Sequence, residues 1–142
     1  MLRNRIKKMA KKTWVYAPKK AKVSVAKDVK ERVKTRADKF IDTVLKPKHI
    51  KPPSKNSTLN YIVDIYSKWY RHYFYFCAKY NCTGENAIAP SFETKFARLE
   101  YLPGESYILA YMRHTNQWFE LIHDISLENA FREIKDGPHF IP

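Results

Sequence analysis

The first regular pattern along the chain is a set of apolar residues spaced three and four positions apart. They are Val29, Val33, Ala37, Phe40, Ile41 and Val44. This spacing places them on one side of an amphipathic helix over residues 25–45. We expect Ser24 to cap the N-terminus of this helix and Pro47 to end it, since these residue types favour those positions. Residues 46–57, which include three prolines, are expected to be a linker.

After residue 58 the period of the apolar positions changes from about four to two, and β-branched and aromatic residues dominate. The pattern predicts five strands: Tyr61–Lys68, His72–Tyr80, Phe92–Leu102, Tyr107–Arg113 and Trp118–His123. Most connections are short, so neighbouring strands should be antiparallel. The connection around residues 69–71 contains neither Gly nor Asn, so its boundaries are the least marked.

A second helix is predicted after the last strand. Ser126 can cap it, Gly137-Pro138 can end it, and one apolar face is formed by Leu127, Ala130, Phe131 and Ile134. The predicted fold class is therefore α+β: an N-terminal helix, a five-stranded antiparallel meander sheet and a C-terminal helix. Residues 25–56 and 57–142 should form a single domain. Helices can cover one face of such a sheet and leave the other in water, where we expect the functional surface.

The net charge of +13 is concentrated at the start of the chain. Residues 1–55 carry 19 Lys and Arg against 4 Asp and Glu, whereas residues 56–142 carry 8 against 10. Because an acid-free basic block repels itself, we expect residues 1–24 to form a disordered arm until a partner orders it. Its nine cations could neutralise phosphates and release counterions: Arg3, Arg5, Lys7, Lys8, Lys11, Lys12, Lys19, Lys20 and Lys22. A tail that serves only solubility is the alternative.

Export and membrane insertion are not expected. The charged start of the chain is not followed by the apolar run of a secretory signal, and no segment approaches the ~18 apolar residues of a membrane span. The arm also lacks an apolar stripe or a lipidation motif. Two cysteines, Cys77 and Cys82, are too few for a disulfide scaffold. The cytoplasm is therefore the expected compartment.

The segment Tyr61–Tyr80 is the richest in aromatic residues. Alternation places Phe74 and Phe76 on one face of the second predicted strand, where they suit the core, and Tyr73 and Tyr75 on the other. Neighbouring rings and cations could continue the tyrosine row, namely Tyr66, Lys68, Arg98, Tyr111 and Arg113. Rings stack on bases and cations bind phosphates, so this face is a candidate surface for single-stranded nucleic acid. Alternatively, the tyrosines simply fill a half-buried sheet face.

A metal-dependent nuclease is a further hypothesis. Asp64, followed in the third predicted strand by Glu93-Thr94-Lys95, provides two carboxylates for a divalent cation and an amine for the transition state. Three acid-x-Lys triplets occur in this lysine-rich chain, so the motif has little specificity. The cysteines and the five histidines show no zinc-ligand spacing, and neither a metal nor another cofactor is expected.

Several short segments of the sequence are similar to those of a known family. They are Asn60–Asp64, Lys68–Arg71, Tyr73–Ala78, Phe92–Tyr101, Arg113–Thr115 and Gln117-Trp118. Together they resemble a family of small bacterial proteins catalogued only as a domain of unknown function, over about residues 58–142. The resemblance implies a bacterial cytoplasmic setting and assigns no catalytic residue.

The sequence favours a non-enzymatic nucleic-acid-binding protein that binds RNA or a ribonucleoprotein, because it contains no helix-turn-helix or zinc finger to enter a DNA groove. The expected contacts are the nine arm cations together with Tyr66, Lys68, Arg71, Tyr73 and Tyr75. Two alternatives stay open. One is a protein-interaction or accessory subunit that docks its aromatic hairpin on a partner, and the other is the nuclease that uses Asp64, Glu93 and Lys95.

Overall fold

The computed structural model describes residues 23–52, 60–82 and 89–142. The N-terminal helical region contains α1 (Lys27–Phe40), a π-helical turn (Ile41–Leu45) and α2 (Lys46–His49). The strands are β1 (Tyr61–Tyr70), β2 (Tyr73–Asn81), β3 (Ser91–Leu102), β4 (Ser106–Met112) and β5 (Trp118–Ile125), and α3 (Leu127–Asp136) follows them. The predicted arm up to residue 22, and parts of the predicted linker and of the β2–β3 loop, lie outside the described residues.

The N-terminal helix buries the predicted apolar side, including Val29, Val33 and Ala37. Its predicted cap was wrong. The N-cap residue is Ala26, and no side chain caps this end. Ser24 lies two residues too early for its hydroxyl to bond the free amides of the first turn.

The predicted end at Pro47 was also wrong, because the helical path continues to His49. In the π-helical turn, the Lys46 N–H donates to the carbonyl of Ile41, five residues earlier. A new α-helical segment therefore begins at Lys46, and Pro47 lies in its first turn, where the missing N–H of proline is not needed. The first residues of the predicted linker are consequently helical.

The sheet is the predicted five-stranded antiparallel meander, with strands in the order β1-β2-β3-β4-β5. The first hairpin differs in its turn. Tyr70 pairs with Tyr73, so Arg71 and His72 form a two-residue turn, and His72 does not begin a strand. Arg71 has a φ of 56°, a region that residues other than glycine seldom occupy. This explains why the turn lacked a recognisable sequence signal.

The core lies between one face of the sheet and helices α1 and α3. Phe76 is fully buried, and its ring lies 6.4 Å from that of Phe40 in α1 and 6.1 Å from that of Phe131 in α3. Phe74 is buried on the same face, as predicted. Trp69 joins β1 to α1 by donating its indole N–H to the Lys30 carbonyl at 3.0 Å.

The C-terminal helix agrees with its prediction. The Ser126 hydroxyl accepts a hydrogen bond from the Asn129 amide at 3.2 Å, and Gly137 follows the last helical residue. The buried face contains Leu127, Ala130 and Ile134. Within the described ranges, no helix has both the length and the apolar character needed to cross a membrane.

Candidate functional site

The sheet has one face against α1 and α3, and neither helix covers the opposite face, which we call the open face. The strand register and the alternation of side chains define its members. They include Asp64, Tyr66, Lys68 and Tyr70 in β1; Tyr73, Tyr75, Cys77 and Lys79 in β2; Glu93, Lys95, Arg98 and Glu100 in β3; Ile108, Ala110 and Met112 in β4; and Trp118 and Glu120 in β5. All five strands therefore contribute to it.

A row of aromatic rings crosses the open face. The Tyr75 ring lies 6.2 Å from that of Tyr73 and 5.8 Å from that of Trp118. The Arg98 guanidinium lies between the ends of this row, 4.8 Å from the Tyr73 centroid and 5.1 Å from the Trp118 centroid. Such cation–π contacts hold the guanidinium in place, while the rings of Tyr73 and Trp118 remain partly accessible to solvent.

A β-bulge in β3 brings the cations of the open face together. Ala97 pairs with Phe76 and Lys95 pairs with Cys77, so Phe96 has no partner residue in β2. In a regular strand, residues three apart point to opposite faces. The extra residue lets both Lys95 and Arg98 reach the open face.

The Glu93 carboxylate contacts three side chains on the open face. The Tyr66 hydroxyl donates to its carboxylate, and the ammonium groups of Lys68 and Lys95 lie 2.9 Å and 3.5 Å from Oε1. The hydrogen bond from Tyr66, followed by that from Lys68, lowers the pKa of Glu93 from 4.5 to about 2. Burial and the same hydrogen bond raise the pKa of Tyr66. At neutral pH Glu93 is therefore a carboxylate and Tyr66 a neutral donor.

A pocket of about 390 Å³ lies beside this cluster. Its lining residues are Lys68, Trp69, Tyr70, Tyr75 and Lys95. Tyr70 is 57% exposed, so much of its ring is available to a ligand. The pocket thus combines two tyrosine rings with two ammonium groups.

The structure brings most of the predicted hairpin residues to this surface. Tyr66, Lys68, Tyr73 and Tyr75 share the open face, whereas Arg71 lies in the adjoining turn, with its guanidinium 5.2 Å from the Tyr70 ring. The nine predicted arm cations lie outside the described residues.

Two aromatic residues of the open face were not predicted to belong to it, Tyr70 and Trp118. Tyr70 has the same parity as Tyr66 and Lys68 along β1, so alternation extended by one step would have found it. Trp118 gave no such signal, because its position beside Tyr75 depends on the register of the intervening strands.

The prediction that Tyr111 and Arg113 continue the tyrosine row was wrong. Arg98 pairs with Ala110, which places Tyr111 on the helix side of the sheet, where its ring stacks on that of His139 at 4.4 Å. Arg113 follows β4, and its guanidinium lies 5.6 Å from the Phe119 ring. The register between β3 and β4 decides which of their residues share a face, and the sequence pattern does not reveal it.

The two carboxylates of the nuclease hypothesis have separate partners. An Asp64 carboxylate oxygen lies 3.3 Å from the Lys46 ammonium, whereas Glu93 accepts from Tyr66, Lys68 and Lys95. Over the described ranges, no three His, Cys, Asp or Glu side chains are arranged to hold a metal ion.

Both cysteines are free thiols. Cys77 belongs to the open face but is fully buried. Burial raises the pKa of Cys77 to about 11. The thiolate, the nucleophilic and metal-binding form of cysteine, is therefore scarce at this position at neutral pH.

The comparison with protein families gives one match. Residues 25–142 match the family model described as "Domain of unknown function (DUF3024)". The resemblance noted over about residues 58–142 is thus confirmed, and the match also includes the N-terminal helix. No curated protein and no solved structure matches the chain. A function must therefore be argued from the open face itself.

Proposed function

The chain belongs to the DUF3024 family, whose description assigns no function, and from its open face we propose that it is a non-enzymatic nucleic-acid-binding protein whose ligand is RNA or a ribonucleoprotein. One observation carries the proposal: Tyr73, Tyr75 and Trp118 form a row with the Arg98 guanidinium between its ends, on a sheet face that α1 and α3 leave uncovered. The rings can stack on bases, and the neighbouring Lys68 and Lys95 can contact phosphates. This combination is characteristic of surfaces that bind single strands.

The charges of the open face indicate which part of the binding free energy the face would contribute and which part the arm would contribute. By strand register the face has four cations and four carboxylates, namely Lys68, Lys79, Lys95 and Arg98 against Asp64, Glu93, Glu100 and Glu120. Its near-neutral balance gives little long-range attraction for a polyanion. Under this proposal, the nine arm cations supply the salt-dependent attraction, and the rings contribute ~1 to 3 kcal/mol for each stacked base.

RNA is favoured because proteins recognise it mainly through unstacked bases in loops and single strands. The aromatic row offers π-faces to such bases. A duplex hides those faces between neighbouring base pairs. The open face therefore suits an unpaired strand better than a groove.

The test is binding of the full-length protein to single- and double-stranded RNA and DNA across a salt series. We expect the affinity to fall steeply with salt and to be highest for single-stranded RNA. A full-length variant with the nine arm cations replaced by glutamine should reduce the log-log slope, by at most about six at ~0.7 per phosphate contact. Absence of binding at low salt, or a slope that the variant leaves unchanged, would overturn the proposal.

A protein-interaction subunit is the second candidate, and a specific observation favours it. The open face is nearly neutral and rich in tyrosine, tryptophan and arginine, the residue types that dominate protein-interface hot spots. Purification of the protein after exhaustive nuclease digestion separates the two candidates. One partner protein retained at fixed stoichiometry, without binding to any nucleic acid, would favour this alternative.

A further inference from the structure

We infer that the pocket between Tyr70 and Tyr75 is a subsite for one unpaired nucleotide, whose phosphate takes the place of Glu93 at Lys68 and Lys95. The inference rests on the proposed function and identifies the part of the ligand that this pocket holds. In the free protein the ammonium groups of Lys68 and Lys95 contact the Glu93 carboxylate. In the complex these ammonium groups contact the phosphate, while the ring of Tyr70 or Tyr75 stacks on the base.

The size and lining of the pocket support a ligand of this kind. Its volume of about 390 Å³ is at the lower end of the range of about 300 to 1,000 Å³ that is usual for small-ligand sites. The rings of Tyr70 and Tyr75 can stack on a base, and the ammonium groups of Lys68 and Lys95 can bind a phosphate. A base within a duplex has both faces covered and could not use these rings. The ligand is therefore unpaired.

The contacts of Glu93 make its exchange for a phosphate inexpensive. Lys68 and Lys95 are 43% and 38% exposed, so their ion pairs with Glu93 are screened by water and weak. The Tyr66 hydroxyl donates to the Glu93 carboxylate and can remain there after the lysines leave. The carboxylate would then keep a donor while both ammonium groups are released to the ligand.

Arg98 differs from the two lysines in this respect. Its side chain is only 13% exposed and lies between the rings of Tyr73 and Trp118. A guanidinium held in this way fixes the orientation of the rings and has little freedom to follow a phosphate. We assign Arg98 as a positioning residue and Lys68 and Lys95 as the ligand contacts.

The decisive variant is Glu93→Gln in the full-length protein, because glutamine keeps the shape of the side chain and removes the charge that competes with phosphate. The probe is a short fluorescently labelled oligouridylate, with its duplex on oligoadenylate as the comparison. Binding of the single strand should tighten by about 1.4-fold to 5-fold, the value of one exposed ion pair. The matched control is Glu120→Gln, which removes the same charge from the same face beside the fixed Arg98, and should have a smaller effect.

A second pair of variants tests stacking in the pocket. Tyr75→Ala should weaken binding of the single strand by about 5-fold to 150-fold, whereas Tyr75→Phe keeps the ring and should bind as the wild type does. Tyr70→Ala removes a ring that is 57% exposed, so it should leave the fold intact and still weaken binding. Thermal unfolding of every variant checks that the fold is retained.

The outcomes separate this inference from the proposed function. If the protein binds RNA in an arm-dependent way but Glu93→Gln weakens binding or equals Glu120→Gln, the subsite is wrong and the proposed function stands. Unchanged binding in both Tyr70→Ala and Tyr75→Ala would also overturn the subsite. If the wild type binds no nucleic acid, both proposals fail. The nuclease hypothesis predicts loss of cleavage in Glu93→Gln, not tighter binding.

Discussion

At the scale of single residues, the open face is organised by local electrostatics that its composition conceals. The face contains a carboxylate, two lysines and a tyrosine within contact of one another, at Glu93, Lys68, Lys95 and Tyr66. Each lysine could have been a free surface charge. Instead the Glu93 carboxylate contacts the ammonium groups of both lysines. The cationic character of the face therefore depends on whether Glu93 keeps these contacts.

The pKa of Glu93 should depend mainly on the Tyr66 hydroxyl. In Tyr66→Phe the strongest hydrogen bond to the carboxylate is lost, so its pKa should rise from about 2 towards the usual 4.5. Lys68→Gln should raise it less, because the hydrogen bond from Lys68 is the second cause of the shift. Titration of the Glu93 side-chain carboxyl by NMR measures both changes. An unaltered pKa in Tyr66→Phe would contradict this contact.

The same carboxylate links stability to acid. The pKa of Glu93 in the folded protein lies below the ordinary value of 4.5. Ionised Glu93 therefore contributes fully to the free energy of unfolding above pH 4.5, and this contribution is lost as the pH falls towards about 2. Urea unfolding at several pH values should show a smaller decline across this window in Tyr66→Phe than in the wild type. Equal declines in the two proteins would show that the contact does not stabilise the fold.

The two cysteines should differ in reactivity. Cys77 is fully buried, and burial raises its pKa to about 11, whereas Cys82 is partly exposed. In the folded protein at mildly alkaline pH, iodoacetamide should therefore modify Cys82 and leave Cys77 unmodified. Mass spectrometry of peptides locates the label. Both cysteines should react after unfolding. Rapid labelling of Cys77 in the native protein would show that its thiol is not buried.

At the scale of elements, short-range sequence signals succeeded where one residue acts on its immediate neighbours. Ser126 caps α3 as predicted, since its hydroxyl needs only the amide three residues later. The signals failed at the first helix, where Ser24 lies before the true N-cap and Pro47 is accommodated by a π-helical turn. Packing of the buried side against the sheet decides where that helical path continues.

The two serines provide a matched comparison. Ser126→Ala removes the hydrogen bond to the Asn129 amide and should lower the free energy of unfolding by about 0.5 to 2 kcal/mol. Ser24→Ala should change it very little, because no side chain caps α1. Urea denaturation of both variants measures the difference. A loss in Ser24→Ala as large as that in Ser126→Ala would mean that the helix begins earlier than described.

At the scale of the whole molecule, one aromatic residue connects the three parts of the core. The Phe76 ring contacts Phe40 of α1, Phe131 of α3 and Phe96 of the neighbouring strand. Phe40 and Phe131 also stack on each other at 4.8 Å. Helices α1 and α3 therefore meet over Phe76 on the buried face of the sheet.

Truncation of this ring should have a large effect. Phe76→Ala leaves a cavity at a fully buried position and should lower the free energy of unfolding by about 3 to 5 kcal/mol. Phe92→Ala is the control, since Phe92 is 40% exposed and lies outside the buried core. Chemical denaturation should show a much smaller loss there. Comparable losses in the two variants would contradict the assignment of the core.

The sequence alone determined the type and order of the elements and the division of β2 into a phenylalanine face and a tyrosine face. These features follow from periodicity, which acts between residues that are near in the chain. Alternation likewise placed Tyr66 and Lys68 beside the tyrosine row.

Only the tertiary structure decided which distant residues complete the surface. The bulge at Phe96 and the pairing of β3, β4 and β5 bring Lys95, Arg98 and Trp118 beside Tyr75 and exclude Tyr111. Strand register is fixed by side chains far apart in sequence that must share one core, and a one-residue shift moves a side chain to the other face. Local patterns carry no information about that shift, and for this reason the pocket that contains Lys95 could be found only in the folded chain.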